Sequence, residues 1–340
     1  MLKVHRNICI AVGDKAQACR SVVCLEGTSV HLIPSSAPSA ELQGGVFRPI
    51  PLPAIEAFCE ELSQSIQKET NNAVFVVYTG SANTVALMHA CLLVGAYMML
   101  KEEMELDTIL LAFHSVEADI INPQTASSND PHAICVLDCW SALAAALHLG
   151  WLVGPSSDAD PLLDAEECSH YAHPANGNVH MLAPGSLYLF ATPDAMPDRL
   201  AWTDIAPAEV GGASGRRFSV GFTADPLVDL GASAVACLDV CPAASAAAFA
   251  ARGMAVADLV AGRGQPSLLR ALDGLLSAAD GAARAGGALA VHSGAGFEWP
   301  TWAGTLATAF LVRRHGFRAA AAAGWVHMLC PWLVSPGAAE

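Results

Sequence analysis

The stretch that decides the fold is AVFVVYTGSANTVALMHACLLVGAYMML, residues 73–100. Residues 73–77 form a continuous apolar run rich in β-branched and aromatic side chains, which is typical of a buried strand. Small and polar residues follow at 78–83, and an apolar run from Val85 to Leu100 then predicts a buried helix. The sequence therefore predicts a strand, a short loop and a helix in immediate succession.

The second half of the chain repeats this order in ALAVHSGAGFEWPTWAGTLATAFLVRR, residues 288–314. We predict a strand at Ala288–Val291, a glycine-containing loop and a helix at Thr305–Arg314. Other predicted strands are SLYLFA (186–191) and ASAVACLDV (232–240), and the entry SVVCLEGTSVHLI (21–33) also reads as β-rich. Alternating elements of this kind favour an α/β fold in which a central sheet is flanked by helices.

Charge is distributed unevenly along the chain. Residues 1–180 carry 7 basic and 20 acidic side chains, residues 181–340 carry 10 and 12, and all four lysines lie in the first half. This step predicts two modules, although a gradual drift in composition would look similar. The segment 154–177 is rich in Pro, Ser, Asp and Gly, as linkers are. The predicted division is a domain at 1–153, a linker at 154–183 and a second domain at 184–340.

The overall composition excludes several classes of protein. With 53% apolar and 14% charged residues the chain is not disordered, and its net charge of −15 argues against a nucleic-acid partner. The longest apolar run, Val85–Leu100, contains His89 and is shorter than the roughly 20 residues that cross a bilayer. We therefore expect neither a nucleic-acid partner nor a membrane span.

The eleven cysteines do not form a recognisable framework, because their number is odd and no CxxC is present. The apolar run near the start is too short for a signal peptide, so we expect a reduced, intracellular protein. Cys135 with Cys139, and Cys237 with Cys241, have the spacing of half a zinc site on a helix. No His or Cys pair stands beside either in sequence, so buried thiols are favoured and no metal or cofactor is expected.

The loop after the strand at 288–291 is the place where chemistry is expected. A loop between a buried strand and a helix offers free N–H groups and a helix dipole that bind phosphate and acidify a thiol. Protein tyrosine phosphatases use H-C-x-x-G-x-x-R there: the Cys attacks phosphorus, the Arg grips phosphate oxygens and a separate Asp protonates the leaving group. The matching segment here is AVHSGAGFEWPTWAGT, residues 290–305.

Several segments together carry a family resemblance: VFRPIPLPAIEAFCEEL (46–62), HACLLVGAYMML (89–100), CVLDCWSALAAALHLGWL (135–152), HYAHPANGNVHMLAPGSLYLFATP (170–193), AVHSGAG (290–296) and HGFRAAAAAGWVHMLCP (315–331). In this order they resemble the landmarks of the cell-division-cycle-fourteen family of dual-specificity protein phosphatases, over roughly residues 45–336. The resemblance implies two tandem protein-tyrosine-phosphatase-like domains, each a central mixed sheet flanked by helices. It also implies a first domain that helps to bind substrate and a second that carries the active site.

The residues at the catalytic positions depart from the family pattern. The degenerate phosphate-loop positions are His292, Ser293, Gly294, Ala295, Gly296, Phe297, Glu298 and Trp299. Ser293 stands where the nucleophilic Cys belongs, Trp299 stands where the Arg belongs, and the end of the loop is three residues longer than in the family. The degenerate general-acid region is Ala261, Gly262 and Arg263, and there is no Asp or Glu between Leu259 and Leu272.

These substitutions should strongly reduce both phosphate affinity and nucleophilicity. Replacing the Arg by Trp299 removes about two charge-assisted hydrogen bonds of about 1.5–3 kcal/mol each, or roughly 100- to 10,000-fold in phosphate affinity. Ser293 has no thiolate-like anion near neutral pH, and Glu298 adds a negative charge where phosphate would bind. No catalytic residue is therefore expected.

Other motifs are weaker. A serine-hydrolase elbow needs Gly where Val291 and Ala295 stand. The sequence VGGASGRR (210–217) lacks the lysine of a phosphate-binding loop and is predicted to be a surface loop. His170, His173 and His180 could hold a metal, but their stretch resembles the family's inter-domain linker.

The first hypothesis is a pseudophosphatase that binds proteins, with basic segments attracted to the acidic N-terminal domain. The alternatives are an active dual-specificity phosphatase with a divergent active site and a phosphopeptide-binding module without turnover. The resemblance also implies a place in the cytoplasm or cytoskeleton, in a microtubule-based assembly such as a spindle, a centrosome or an axoneme of a cilium or flagellum.

Overall fold

The computed structural model describes residues 2–22, 29–35, 47–69, 73–116, 120–121, 134–191, 193, 200–205, 215–238, 241–259, 267–293 and 299–331. Within these ranges the side chains of residues 19–22, 205, 215, 293 and 299–302 are not described. The chain divides into two compact units. The first unit comprises Met1–Leu162 and Ala320–Pro331, and the second comprises Leu163–Ala319 and Trp332–Glu340.

The strands are β1 (Leu2–His5), β2 (Ile8–Ala11), β3 (Ser29–Pro34), β4 (Ala73–Tyr78), β5 (Val179–Ala183), β6 (Leu187–Ala191), β7 (Trp202–Ile205), β8 (Gly215–Phe218), β9 (Ala232–Cys237), β10 (Ala255–Asp258) and β11 (Ala288–Ser293). The helices are α1 (Lys15–Val22), α2 (Leu52–Lys68), α3 (Thr84–Leu100), α4 (Leu106–Ala112), α5 (Val136–His148), α6 (Ala165–Ala172), α7 (Val220–Asp229), α8 (Ala243–Ala250), α9 (Leu268–Arg284), α10 (Trp299–His315) and α11 (Ala319–Leu329), with a 3-10 turn at His114–Val116. None of the helices in the described ranges combines the length and the hydropathy needed to cross a membrane.

The first unit is built on a four-stranded mixed sheet in the order β1-β2-β4-β3. β4 is parallel to β2 and β3, whereas β1 is antiparallel to β2. The apolar run predicted from residues 73–77 is β4, and its Val76 and Val77 are fully buried. This burial explains why the strand reads as continuously apolar rather than alternating.

Helix α3 forms the centre of the first unit and packs against α2 and α5. Every residue from Val85 to Leu100 except Leu87 is buried. The side chain of Asn83 caps the helix by accepting a hydrogen bond from the backbone N–H of Ala86 at 2.7 Å. The helix is therefore apolar all round because protein surrounds it.

The second unit is built on a five-stranded sheet in the order β10-β9-β11-β6-β5. β10, β9, β11 and β6 run parallel, and β5 closes one edge antiparallel to β6. The central strand β11 is buried along its whole described length, with His292 only 1% exposed. Helix α9 buries one face against β9 and β11, and α10 packs against α9.

The predicted fold class is confirmed: each unit is a mixed sheet flanked by helices. The predicted helix at Val85–Leu100 is α3, and the predicted helix at Thr305–Arg314 lies within α10. The predicted strands at 186–191, 232–240 and 288–291 are β6, β9 and β11. The division into units differs from the predicted domains at two points, the first being the boundary between Leu162 and Leu163, which falls inside the predicted linker. Residues 320–331, which were predicted in the second domain, belong to the first unit.

Two local predictions are corrected, those for residues 21–33 and for residues 216–217, and the predicted linker contains regular structure. The entry at residues 21–33 is not continuously β-rich, because Ser21 and Val22 end the helix α1 and the strand β3 begins only at Ser29. The predicted linker at 154–183 contains helix α6 and strand β5. Arg216 and Arg217, predicted in a surface loop, lie in strand β8, which pairs with β7.

Candidate functional site

The carboxyl ends of the parallel strands in the second unit converge on one edge of the sheet. His292 on β11 is in register with Cys237 on β9, and Asp258 at the end of β10 is also in register with Cys237. The backbone N–H of Leu238 extends this pairing by donating to the carbonyl of His292 at 2.9 Å. In open sheets with parallel strands, ligands bind outside this edge.

His292 is held tightly by its surroundings. Its Nε2 lies 3.1 Å from the Sγ of Cys237, and its ring contacts Phe190 and Phe249 with centroid separations of 5.3 and 6.3 Å. Burial lowers the pKa of His292 to about 4, although the charge of Asp258 acts in the opposite direction. The imidazole is therefore neutral near pH 7.

This pairing limits the chemistry of the thiol and the imidazole. A cysteine nucleophile activated by histidine works as a thiolate beside an imidazolium. Because the low pKa of His292 disfavours the imidazolium, the ring does not supply the positive charge that would stabilise a thiolate beside it. Cys237 is also fully buried, so its sulfur is not presented to a phosphorylated side chain at the surface.

Cys241 completes a cluster that the sequence analysis missed. The Sγ atoms of Cys237 and Cys241 and a ring nitrogen of His292 all lie within 4.8 Å of one another. We call these three residues the thiol–imidazole cluster. The prediction considered only residues beside Cys237 and Cys241 in sequence, whereas sheet pairing brings in His292, which lies far away along the chain. The signal was available in principle, since Cys237 and His292 both stand near the ends of predicted buried strands.

Most of the predicted loop lies outside the described residues. Ser293 ends β11 and Trp299 begins α10, but their side chains are not described. Gly294, Ala295, Gly296, Phe297 and Glu298 are not described at all, and the same holds for the predicted general-acid region Ala261, Gly262 and Arg263. Of the eight predicted phosphate-loop positions, His292 is the one whose side-chain contacts are described.

The histidines that were considered as metal ligands have other contacts. His173 Nδ1 accepts a hydrogen bond from the backbone N–H of Ala175 at 3.1 Å, and His180 Nε2 lies 3.0 Å from Asn178 Oδ1. In the part of the chain that the structure describes, His170, His173 and His180 do not form a group with metal-ligand spacing.

The first unit contains an acidic cleft of about 320 Å³. Its wall includes Glu103 and Glu105 together with Met99, Leu106 and Leu147. The carboxylate of Glu103 accepts hydrogen bonds from the backbone N–H and the hydroxyl of Ser156 at 2.9 and 2.6 Å, and these bonds lower its pKa. Glu103 and Glu105 are exposed, so the acidic cleft offers negative charge and apolar surface side by side.

Comparison with known families gives one match. Residues 46–146 match the family described as dual specificity protein phosphatase, N-terminal half. No curated protein matches the chain. The match includes α2, β4, α3 and α5, so it covers the core of the first unit and the residues that form the acidic cleft as far as position 146. The first unit of this chain is therefore similar to the N-terminal half of dual specificity protein phosphatases.

Proposed function

We propose that this protein is a catalytically inactive pseudophosphatase that binds a protein partner. The observation that carries the proposal is the sequence of the loop after β11, where Ser293 and Trp299 occupy the positions of the phosphatase Cys and Arg. The match of residues 46–146 to the N-terminal half of dual specificity phosphatases supports the kinship on which this comparison of positions rests.

The surroundings of the loop also argue against turnover. Ser293 would need a general base, and its neighbour His292 is a weak base because burial lowers its pKa to about 4. Among the described arginines of the second unit, Arg216, Arg252 and Arg314 form ion pairs with Asp204, Asp225 and Asp280. Each of these three guanidinium groups therefore has a carboxylate partner in the structure.

Turnover can be tested directly with the full chain. We expect no hydrolysis of an aryl phosphate or of a phosphoserine-proline peptide above the rate in buffer. Ser277→Ala, a change at an exposed position of α9, is the matched control for Ser293→Ala. Hydrolysis that is abolished by Ser293→Ala and kept by Ser277→Ala would show an active phosphatase with a divergent site.

Phosphate recognition without turnover is tested separately by calorimetry. The same phosphopeptide and its unphosphorylated form are titrated into the protein. We expect no difference between the two, because the guanidinium that grips phosphate is replaced by the indole of Trp299. A phosphate-dependent heat would instead support a phosphopeptide-binding module.

The partner surface that we propose is the acidic cleft, and the ligand is a basic protein segment. Residues 1–162 carry 7 basic and 17 acidic side chains, and this net charge of −10 draws a basic chain toward the first unit, where the apolar wall can cover the stems of Lys or Arg side chains. Since an exposed charge pair contributes about 0.2–1 kcal/mol, Glu105→Gln should weaken the binding of a Lys/Arg-rich peptide by a factor of roughly 1.4 to 5.

The control for this surface is Glu166→Gln, which removes the same charge at an exposed position of α6 in the second unit. Fluorescence anisotropy with a labelled basic peptide measures both variants at low and at high salt. We expect the affinity of the wild type to decrease with salt. We also expect Glu105→Gln to bind the peptide more weakly than Glu166→Gln does. Equal losses in the two variants would place the binding surface elsewhere.

We also propose a cellular location, which rests on the family resemblance alone. We propose that the protein is intracellular and is part of a microtubule-based cytoskeletal assembly of a spindle, centrosome or cilium. Detergent extraction of cells that carry a tagged copy should leave the protein on the cytoskeleton, and cross-linking mass spectrometry of the retained fraction identifies its neighbours. A fully extractable protein would contradict this part of the proposal.

A further inference from the structure

We propose that Cys237, Cys241 and His292, the thiol–imidazole cluster, bind a zinc ion at the carboxyl edge of the sheet in the second unit. This inference goes beyond the proposed pseudophosphatase role and does not depend on it. It rests on three ligand-bearing side chains that the fold brings together from the end of β9, the segment before α8 and β11.

The separations fit zinc. The three ligand atoms lie within 4.8 Å of one another, and His292 Nε2 is 3.1 Å from Cys237 Sγ. Zinc bonds of about 2.3 Å to sulfur and about 2.0 Å to nitrogen in a tetrahedron require ligand atoms about 3.5–3.8 Å apart. The observed separations lie on both sides of this range, with the Nε2–Sγ distance shorter than the ideal and the upper limit of 4.8 Å longer.

Two of the three ligands are held in place in advance. Strands β9 and β11 pair in register at Cys237 and His292, and the phenyl rings of Phe190 and Phe249 fix the imidazole. Such support of a ligand raises metal affinity because less freedom is lost on binding. Cys241 is half-exposed and provides the side from which an ion can enter.

The donor set is chemically suited to zinc. Two thiolates and a neutral imidazole are soft and borderline donors of the kind that zinc prefers, and together they neutralise the charge of a divalent ion in a buried place. Zinc binding releases the proton of each thiol, and the imidazole binds through a ring nitrogen that carries no proton. The three protein ligands leave the fourth position of a tetrahedral ion to water.

The test is a metal titration of the full chain after reduction and removal of metal with a chelator. Co²⁺ is the first probe, because thiolate ligands give it a near-ultraviolet charge-transfer band and tetrahedral coordination gives it strong visible bands. We expect one equivalent of Co²⁺ to bind with both signals and to be displaced by Zn²⁺. Cys241→Ser should weaken binding at least about 100-fold and reduce the charge-transfer band.

Cys135→Ser is the matched control. Cys135 is also half-exposed, it lies in the first unit at the start of α5, and Ser is a good residue at a helix N-cap. This variant should titrate as the wild type does. The proposal is overturned if neither signal appears at one equivalent, or if Cys241→Ser and Cys135→Ser bind equally well.

A second measurement uses the wild-type protein and needs no variant. Alkylation of thiols is followed by mass spectrometry with and without Zn²⁺. We expect Zn²⁺ to slow alkylation of Cys241 at least tenfold and to leave Cys135 unchanged. Equal alkylation rates of Cys241 in the two conditions would refute zinc binding by this cluster, whatever the outcome of the phosphatase assays.

Discussion

Replacing Gly95 with Ala should destabilise the first unit, although alanine is the better helix former. Gly95 lies in the middle of α3, where the indole of Trp140 from α5 rests on the helix backbone. A Cβ at this position would overlap the ring at Cε2, Cζ2 and Nε1. Trp140 cannot move away easily, because it is fully buried, its ring centroid is 5.0 Å from that of Phe113, and its Nε1 donates to the carbonyl of Leu92 at 3.1 Å.

The expected change in the free energy of unfolding is the sum of three contributions. Overpacking a rigid ring costs about 3 kcal/mol, the upper part of the usual range. Displacing the indole weakens the hydrogen bond to Leu92, which is worth about 1 kcal/mol. The gain in helix propensity from Gly to Ala offsets about 1 kcal/mol. We therefore expect Gly95→Ala to lower the free energy of unfolding by about 3 kcal/mol and the melting temperature of the first unit by about 6–12 °C.

The assay is urea unfolding and calorimetry of the full chain, with a double-mutant cycle as the decisive step. In a Trp140→Leu background the ring is absent, so the same Gly95→Ala change should be neutral or stabilising by up to about 1 kcal/mol. Gly304→Ala in α10, where a Cβ meets no described atom within 4 Å, should stabilise by a similar amount. If Gly95→Ala costs the same with and without the indole, the reasoning is wrong.

Three further outcomes can be measured. Burial lowers the pKa of His89 below its unfolded value of about 6.5, so the unfolded chain binds more protons and stability is lost as pH falls below that value. His89→Gln keeps a hydrogen-bond donor for the backbone carbonyl of Arg48 but does not titrate. The free energy of unfolding, measured with urea, should therefore decrease less between pH 7 and pH 5 in this variant than in the wild type. An equal decrease in both proteins would contradict the prediction. Ser293→Cys should give no phosphatase activity, because Trp299 still lacks a guanidinium group; any turnover of an aryl phosphate would count against loss of the phosphate site. Asp164→Ala should cost about 1 kcal/mol in urea unfolding by removing the side-chain cap of α6, while Asp164→Asn should cost much less, and equal costs would exclude the cap as the cause.

The buried parts of both sheets could be predicted from the sequence because burial on both faces leaves a continuous apolar signature. Residues 73–77 and 288–291 have this signature and are central strands. Helix α3 was predicted for the same reason, since protein surrounds it on all sides. Local composition was sufficient to predict a strand or helix wherever the whole element is buried.

The secondary structure was not predicted correctly where the local composition does not reflect the environment of the element in the fold. Helix α1 carries β-branched Val22 and the polar residues Gln17 and Arg20 in eight positions, which leaves little helical periodicity to detect. Strand β5 is buried along its length, but it follows a segment rich in Pro, Asp and Gly that reads as a linker. Arg216 pairs with Asp204 across β7 and β8, and this tertiary contact could not be predicted from a local sequence pattern.

The thiol–imidazole cluster shows why a site can be missed while the elements that carry it are found. Strands β9 and β11 were both predicted, but the register that places Cys237 opposite His292 depends on how the sheet assembles. Sequence reasoning looked for a zinc partner beside Cys237 and Cys241 along the chain, whereas a parallel sheet supplies one from the neighbouring strand. Spacing rules for metal sites work best when one hairpin or helix carries the ligands.

The phosphatase loop and the thiol–imidazole cluster share the same sheet edge but depend on different atoms. Turnover requires a nucleophile at position 293 and a cation at position 299, whereas zinc binding requires the sulfurs of Cys237 and Cys241. Ser293→Ala and Cys241→Ser therefore separate the two questions, since each variant leaves the other set of atoms intact. His292 is common to both, because its backbone leads into the loop while its ring faces Cys237. The proposed loss of phosphate chemistry concerns positions 293 and 299, whereas the described contacts of this ring are made with Cys237, Phe190 and Phe249.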